Sequence, residues 1–171
     1  ISQMPDLTHG PARISGPPAF AMAGVTQADI DVAQIYDSFT YTVLLRLEDL
    51  GFCEKGEGGA FVSNQRTAPG GEFPLNTAGG GLSYTHPGMY GIFVIIEAVR
   101  QLRHDYEGQG ERQVRDAKIG LAHGTGGVLS ATGVPFDAHY FKTSDDYEID
   151  LVIDFGKDRW AVEIKLTSSP G

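Results

Sequence analysis

The fold is decided by the stretch NTAGGGLSYTHPG, residues 76–88. Its three consecutive glycines permit positive φ or the close approach of a ligand to the backbone. Apolar residues then recur nearly all round from Ile92 to Leu102, which predicts a helix over 88–104 that is buried on both sides. His86, directly before this helix, is well placed to act as a base or a hydrogen-bond donor, because a histidine pKa lies near working pH. The alternative is that His86 only caps the helix or packs.

Upstream of this stretch, the pattern predicts a strand followed by a helix. Residues 31–37 alternate well enough for a strand that delivers its last residues to a site. Asp37 or Ser38 can cap the following helix, whose apolar positions fall at helical spacing up to Leu50. Gly51 then ends the helix in the left-handed conformation.

A second glycine run lies downstream. Residues 117–122 predict a short strand that leads into His123-Gly124-Thr125-Gly126-Gly127. Strands alternating with helices predict an α/β layered fold with a mixed, mostly parallel sheet, in which ligands gather beyond the carboxyl ends of strands. The proline-rich residues 1–18 predict an extended lead-in, 19–23 the end of a helix, and the glycine-rich residues 52–87 a long functional loop.

The composition is that of one ordinary soluble domain of 171 residues. Its net charge of -9 argues against nonspecific binding to nucleic acid, which depends on clustered Lys and Arg. Cys53 is the single cysteine, which excludes an internal disulfide and fits a reducing, cytoplasmic compartment. We expect Cys53 to pack rather than react. No apolar run approaches the length of a membrane span.

Four segments agree, in order along the chain, with one known family: Tyr36–Thr40, Leu47–Phe52, 76–91 and Gly120–Gly127. Together they resemble the carboxy-terminal half of thiolases, most of all the sterol-carrier-protein type and the related lipid-transfer thiolase-like proteins. The resemblance covers about residues 8–133. It implies a thiolase-like domain over 1–133 that takes a coenzyme A thioester as substrate and holds no bound cofactor.

The resemblance also implies a set of site residues. In thiolases, the histidine of a Gly-His-Pro motif activates a cysteine nucleophile of the amino-terminal half and helps to bind the thioester oxyanion. His86 holds that position, after Thr85 instead of the usual glycine. His123 stands where most thiolases carry a second cysteine that acts as acid and base, which implies that it shuttles a proton. Substrate binding is implied for four neighbours of these histidines: Asp37, Asn76, Gly80 and Gly126.

The chain lacks the thiolase nucleophile, because Cys53 matches no catalytic position of the family. Tyr36 also replaces the asparagine of the motif that orders a water in the oxyanion hole. We therefore predict a thiolase-like acyl-CoA acyltransferase half, for Claisen condensation or thiolysis, that is inactive alone. It needs an amino-terminal half or a second copy as partner, and without that cover it should expose an apolar patch. The alternative is a noncatalytic module that binds a lipid or a partner.

The tail, residues 134–171, has a different character. It predicts three strands, at 138–143, 148–155 and 159–166, with a β-hairpin between the last two. Its Glu-Ile-Asp and Glu-Ile-Lys segments resemble the carboxy-terminal part of a family of prokaryotic P-loop ATPases, itself similar to the PD-(D/E)xK nuclease fold. That resemblance implies a divalent metal on Asp150 and Glu163, with Lys165 orienting the attacking water. The alternative is that these side chains form the solvent face of an amphipathic hairpin.

Overall fold

The computed structural model describes residues 6–85 and 90–124, and beyond them the backbone of three strands. The helices are α1 (Ala12–Ala23), α2 (Thr40–Asp49), α3 (Gly58–Phe61), α4 (Gly80–Ser83) and α5 (Gly91–Leu102). The strands are β1 (Val32–Ile35), β2 (Ile119–His123), β3 (Phe136–Lys142), β4 (Glu148–Phe155) and β5 (Asp158–Lys165). Single 3-10 turns occupy Gln27–Asp29 and Gly110–Arg112. The loop predicted over 52–87 therefore contains two one-turn helices, α3 and α4.

The strand pair β1 and β2 forms the centre of the fold. The two strands are parallel, with Val32 opposite Gly120 and Ile35 opposite His123. On its other edge β1 bridges through Ala33 to Leu75. Residues 76–85, which follow Leu75, form the glycine turn. All four residues of β1 are buried, as expected for a parallel strand covered on both faces. The predicted α/β class and the parallel pairing of these two strands are confirmed.

The prediction that parallel pairing dominates the sheet is wrong for the strands that the structure describes. The sheet order is β1-β2-β3-β4-β5, and β3, β4 and β5 each pair antiparallel with the preceding strand. Parallel neighbours need a crossover of about a dozen residues or more. The helical segments between β1 and β2 provide such a crossover, whereas the connections that precede β4 and β5 are too short for one.

The first helix corrects the prediction of an extended lead-in. α1 begins at Ala12 and contains Pro17 and Pro18, residues that usually interrupt a helix because they lack an N–H. One face is nevertheless buried at helical spacing, and its members are Ala12, Gly16, Ala19 and Phe20. Gly24, with φ of 67°, ends the helix in the left-handed conformation. Packing of this face outweighs the local cost of the prolines.

The second helix follows the sequence pattern at its end but not at its start. Gly51 has φ of 82°, and the amide of Phe52 donates to the carbonyl of Leu47 at 2.9 Å, so the predicted glycine terminus is confirmed. Neither Asp37 nor Ser38 caps the helix: Phe39 occupies the N-cap position without a side-chain cap. The hydroxyl of Thr42 instead donates to the Phe39 carbonyl at 2.7 Å.

Helices cover the strand pair on both faces. On one face, α1 and α2 pack a core cluster against the strands through Phe20, Leu47, Leu50, Ala33 and Leu121. On the other face, α5 packs a second cluster through Val94, Ala98, Leu102, Val32 and Ala122. Neighbouring residues of each strand thus belong to opposite clusters, as the alternation of side chains along a strand requires.

The fifth helix is not buried on both sides, which corrects the prediction. Its outer face exposes Ile92, Phe93 and Ile96, with relative exposures of 53%, 47% and 44%. The inner face buries Val94 and Ala98. A helix that is apolar all round therefore has two contact faces, but one of them can contact a different chain. The expected exposed apolar patch is present on the described residues. Among those residues no helix has both the length and the apolar character to cross a membrane.

Candidate functional site

The carboxyl end of β1 delivers a buried carboxylate to the glycine turn. The Asp37 side chain accepts hydrogen bonds from the amide of Gly81 at 2.6 Å on Oδ1 and from the amide of Leu82 at 3.2 Å on Oδ2. Asp37 thus secures α4, and not the helix that follows it in sequence. Gly80 has φ of 69°, and a Cβ there would overlap the same carboxylate. The turn therefore requires glycine at this position.

Asn76 fastens the start of the turn to the strand. Its side-chain Oδ1 accepts from the amide of Ile35 at 2.8 Å, and its Nδ2 donates to the carbonyl of the same residue at 2.9 Å. Its own amide donates to the carbonyl of Ala33 at 2.9 Å. Asn76 adopts φ of 50°, a left-handed conformation that asparagine tolerates better than most residues. These bonds give Asn76 a structural role, and its predicted contact with substrate stays a prediction.

Thr77 connects the turn to two further elements. Its hydroxyl donates to Oε1 of Glu97 at 2.7 Å. It accepts from Nε2 of Gln34 on β1 and from Nε2 of Gln101 on α5, each at 2.9 Å. A hydroxyl has one donor and two acceptor sites, so Thr77 uses all three. A buried polar network thereby joins the strand, the turn and the helix.

Glu97 is the buried carboxylate of this network. Besides the bond from Thr77, it accepts a short hydrogen bond from the Tyr106 hydroxyl on Oε2, and Nη2 of Arg112 lies 3.6 Å from the same oxygen. Burial raises the pKa of Tyr106 to about 12, and the hydrogen bond to Glu97 acts in the same direction. The guanidinium of Arg112 also lies over the Tyr106 ring, 3.9 Å from its centroid.

Two buried tyrosines stand beside the Asp37 carboxylate. The rings of Tyr36 and Tyr90 stack with centroids 5.1 Å apart. Burial is the main cause that raises the pKa of both phenols, to about 12 for Tyr90, and the charge of Asp37 adds to it. Both phenols therefore stay protonated at neutral pH. The sequence-based interpretation had considered Tyr36 only as a departure from the thiolase motif.

The two predicted catalytic histidines have different outcomes. His123 is the last residue of β2, and its side chain has 0% exposure. Its carbonyl accepts from the amide of Tyr36 at 2.9 Å, which places its backbone at the same sheet edge as Asp37. His86 and Gly126 lie outside the described residues, so the structure does not test their predicted positions. The catalytic roles of both histidines stay predictions.

A cavity of about 380 Å³ borders the site on the side of α5. Tyr84, Thr85 and Tyr90 line it near the predicted histidine motif, and Phe93, Glu97 and Arg112 line it further along. Its volume falls within the range of about 300–1,000 Å³ that is typical of small-molecule sites. Four of its lining residues are aromatic, and Glu97, Arg100 and Arg112 contribute charged groups.

Several other predicted residues do not join this site. Cys53 is partly buried and packs against the α1–α2 core cluster, and burial raises the pKa of its thiol, in agreement with a packing role. The side chains of Asp150, Glu163 and Lys165 lie outside the described residues. Among the side chains that are described, no group of three or more His, Cys, Asp or Glu is arranged to hold a metal ion.

Sequence reasoning missed the network beneath the turn. Thr77, Glu97 and Gln101 are all buried, and none of them is among the site residues that the sequence predicts. One signal was present: Glu97 and Gln101 are four residues apart, so they share one face of a helix that is otherwise apolar. Buried polar residues of that kind need partners, which should have directed attention to the nearby turn.

The chain has an α/β fold in which a glycine turn, a buried carboxylate and a cavity lie at the carboxyl end of a parallel strand. In open α/β sheets this is the usual place for a ligand. The chain belongs to the thiolase C-terminal domain-like family, whose sequence model matches residues 1–135. The predicted resemblance to the carboxy-terminal half of thiolases is therefore confirmed for that part of the chain. The division at residue 133 stays a prediction.

Three curated relatives illustrate the similarity. An "Acetyl-CoA acetyltransferase" of Methanothermobacter thermautotrophicus is 42% identical over 117 residues, 68% of this chain and 30% of the relative. Human "Sterol carrier protein 2" is 37% identical over 131 residues, 72% and 23% of the two chains. A "17-hydroxy-3-oxo-4-pregnene-20-carboxyl-CoA lyase" of Mycobacterium tuberculosis is 48% identical over 86 residues, 49% and 21%. This chain thus matches less than a third of each relative's length.

One solved structure shares the fold. A chain of an "Ltp2-ChsH2(DUF35) aldolase" aligns with a TM-score of 0.63 and 34% sequence identity, covering 75% of this chain and 32% of that chain. The alignment supports the α/β thiolase-like half-domain. Relatives of this chain therefore include proteins named as acyltransferases and proteins named as lyases or aldolases.

Proposed function

We propose that this chain is the carboxy-terminal half of a thiolase-type acyl-CoA acyltransferase, which acts on a coenzyme A thioester once an amino-terminal half brings the cysteine nucleophile. The family match over residues 1–135 carries this proposal, and the relative named as an acetyl-CoA acetyltransferase supports it. The isolated chain is expected to be inactive. Its single cysteine, Cys53, packs against a core cluster on the face of the sheet opposite α5.

The proposed chemistry divides the work between two halves. A cysteine of the amino-terminal half loses its proton and attacks the thioester carbon. A new carbon–sulfur bond forms, the bond from that carbon to the coenzyme A sulfur breaks, and coenzyme A leaves as the thiol with the proton that the cysteine gave up. His86 is assigned the proton transfer and a hydrogen bond to the oxyanion. Asp37 supports this arrangement by holding the turn through the amides of Gly81 and Leu82. The cavity beside Thr85 and Tyr90 has the size to take the acyl group.

The missing half is proposed to cover the outer face of α5. Ile92, Phe93 and Ile96 are each 44% to 53% exposed, whereas the same helix is packed on its inner face. A contiguous apolar patch of this kind marks an interaction surface. An amino-terminal half is the favoured occupant because this chain matches 30% of its acetyltransferase relative, and a second copy of the chain is the alternative.

A fusion protein tests the acyltransferase proposal. The part of the Methanothermobacter relative that precedes the matched region is joined to this chain, and acyl transfer between coenzyme A thioesters is followed by thiol release. We expect turnover from the fusion, none from the isolated chain, and a loss of about 100-fold or more in the fusion carrying His86→Ala. An active isolated chain, or a fusion that binds no thioester, would contradict the proposal. Binding of a lipid or partner by an inactive fusion would favour the noncatalytic alternative.

A second candidate function is carbon–carbon bond cleavage of a β-hydroxyacyl-CoA. The observation in its favour is the similarity to proteins named as a lyase and a "Steroid side-chain-cleaving aldolase" of Thermomonospora curvata, 40% identical over 122 residues. In such a cleavage a base takes the hydroxyl proton, the bond between the α and β carbons breaks, and a ketone leaves. The electron pair left on the α carbon then takes a proton. No cysteine nucleophile is needed.

The products distinguish the two candidates. A lyase releases a ketone and a shortened acyl-CoA from a β-hydroxyacyl-CoA without any thiol acceptor, whereas an acyltransferase requires a thiol and a β-ketoacyl-CoA for thiolysis. The buried phenols of Tyr36 and Tyr90 stay protonated near Asp37. We expect Tyr90→Phe to affect the lyase reaction more than acyl transfer. Equal loss of both activities would remove the specific support for the lyase.

A further inference from the structure

We propose that Thr77 and Glu97 form a positioning pair that fixes the position of the glycine turn relative to β1 and α5. This inference rests on the proposed function, because the placement of the turn affects turnover only if the turn borders the acyl-CoA site. Neither residue is assigned a step in the reaction. Their role is to fix the backbone that carries α4 and the residues leading to His86.

The bonding of Thr77 makes it a junction with a defined geometry. Its hydroxyl contacts three side chains on two elements, Gln34 on β1 and both Glu97 and Gln101 on α5, at 2.7–2.9 Å. Thr77 itself is buried, so water is not available to replace a lost partner. Any displacement of the turn therefore breaks hydrogen bonds inside the protein, where unmade bonds are costly.

Glu97 supplies the fixed end of the pair. Its carboxylate is held from the opposite side by the Tyr106 hydroxyl and by the guanidinium of Arg112 at 3.6 Å. Gln101 also donates to the carbonyl of Arg112 at 2.8 Å. The segment after α5 thus anchors the carboxylate without any contribution from the turn. Asn76 fastens the start of the turn to β1, and the bond from Thr77 to Glu97 fixes its position relative to α5.

The turn needs such an anchor because its own sequence provides little packing. Gly79 and Gly80 have φ of 95° and 69° and no side chains, and they connect Thr77 to the amides of Gly81 and Leu82. In the described part of the turn after Thr77, the hydrogen bonds to other elements are those accepted by Asp37. Loosening Thr77 should therefore release the Gly81 and Leu82 amides from Asp37.

Amide hydrogen exchange on the full chain tests the pair directly. Thr77→Val keeps the shape of the side chain and removes the hydroxyl, and we expect exchange at Gly81 and Leu82 to accelerate about tenfold or more. Thr77→Ser retains the hydroxyl and should stay within about threefold of wild type. Thr42→Val is the matched control, because Thr42 is also buried and its hydroxyl donates to the carbonyl of Phe39 at the start of α2. It should leave those two amides unchanged.

The kinetic readout uses the same variants in the fusion protein. For Thr77→Val we expect kcat to fall about 10- to 100-fold while KM stays within about threefold, since displacement of about 1 Å can cost about 100-fold. Thr77→Ser restores kcat, and Thr42→Val leaves it within about threefold. Unchanged exchange at Gly81 and Leu82 in Thr77→Val overturns the inference. An inactive wild-type fusion counts against the proposed function, whereas the exchange rates still decide the positioning role.

A milder variant covers the case in which Thr77→Val does not fold. Glu97→Gln keeps the length of the side chain but has one acceptor oxygen where the carboxylate has two, so Thr77 and Tyr106 compete for it. Faster exchange at Gly81 and Leu82 in this variant supports the inference. Exchange equal to that of wild type overturns it.

Discussion

The two faces of α5 have similar apolar residues, but one face is buried and the other is exposed. The inner face packs Val94, Ala98 and Leu102 against the sheet, while the outer face leaves Phe93 and Ile96 about half exposed. The inner face also contains buried polar side chains that hold the site turn, and the outer face has none. The apolar pattern of a helix thus indicates both of its contact faces. The buried polar residues show which face, the inner one, packs within this chain, and the outer face is left as a surface for a partner.

The largest expected difference between the faces is in the stability of the chain. Leu102→Ala removes a buried side chain from the core cluster that also contains Val32 and Val94, and we expect a loss of about 2–4 kcal/mol in the free energy of unfolding. Ile96→Ala on the outer face should change it by less than about 0.5 kcal/mol. Urea denaturation measures both. Equal losses would mean that the outer face is packed in solution.

The next difference concerns the polar part of the inner face. Gln101→Leu preserves the approximate volume but removes the bonds to Thr77, to the Arg112 carbonyl and from the amide of Val114. We expect a loss of about 1–3 kcal/mol, because buried partners are left unpaired. Gln109→Leu applies the same change at an exposed position and should cost less than about 0.5 kcal/mol. A neutral Gln101→Leu would show that the network adds no net stability.

A smaller effect should appear in self-association through the outer face. Phe93→Asp places a charge on the exposed patch, and its position in the first turn of α5 suits a negative side chain. We expect association of the isolated chain to weaken about tenfold, which corresponds to about 1.4 kcal/mol. Loss of the contact between the Phe93 and Tyr90 rings, whose centroids lie 5.4 Å apart, should lower the unfolding free energy by about 0.5–1.5 kcal/mol. Sedimentation velocity over a concentration series measures this. A wild-type chain that stays monomeric at high concentration would contradict the interpretation of the patch.

The last difference is expected only at alkaline pH. Burial and the bond to Glu97 raise the pKa of Tyr106 from its ordinary value of 10.0 to about 12. The folded chain therefore holds this proton more tightly than the unfolded chain, so the stabilisation is complete below pH 10 and is lost as pH rises toward 12. Tyr106→Phe should reduce the loss of stability over this pH range. Thermal unfolding at successive pH values measures that loss. The matched change Tyr41→Phe, at a half-exposed residue, should leave it as in wild type.

Prediction from sequence worked best where one local rule acted alone. Gly51 ends α2 because a left-handed residue is needed there, and β1 and β2 were located by short apolar segments before polar or glycine-rich turns. It failed where packing overrode a local rule, as in α1, where Pro17 and Pro18 lie within a helix whose buried face outweighs their cost. The cap was also misassigned, because Asp37 contacts Gly81 and Leu82, more than forty residues away in sequence.

The sequence by itself determined the family, the α/β class and the identity of the glycine turn, because motifs, periodicity and turn residues are local properties of the chain. Only the tertiary structure decided that Thr77 and Glu97 meet beneath that turn, and that one face of α5 stays uncovered. Hydrogen bonds between distant residues and the exposure of a helix face depend on how separate elements pack, and no short stretch of sequence contains that information.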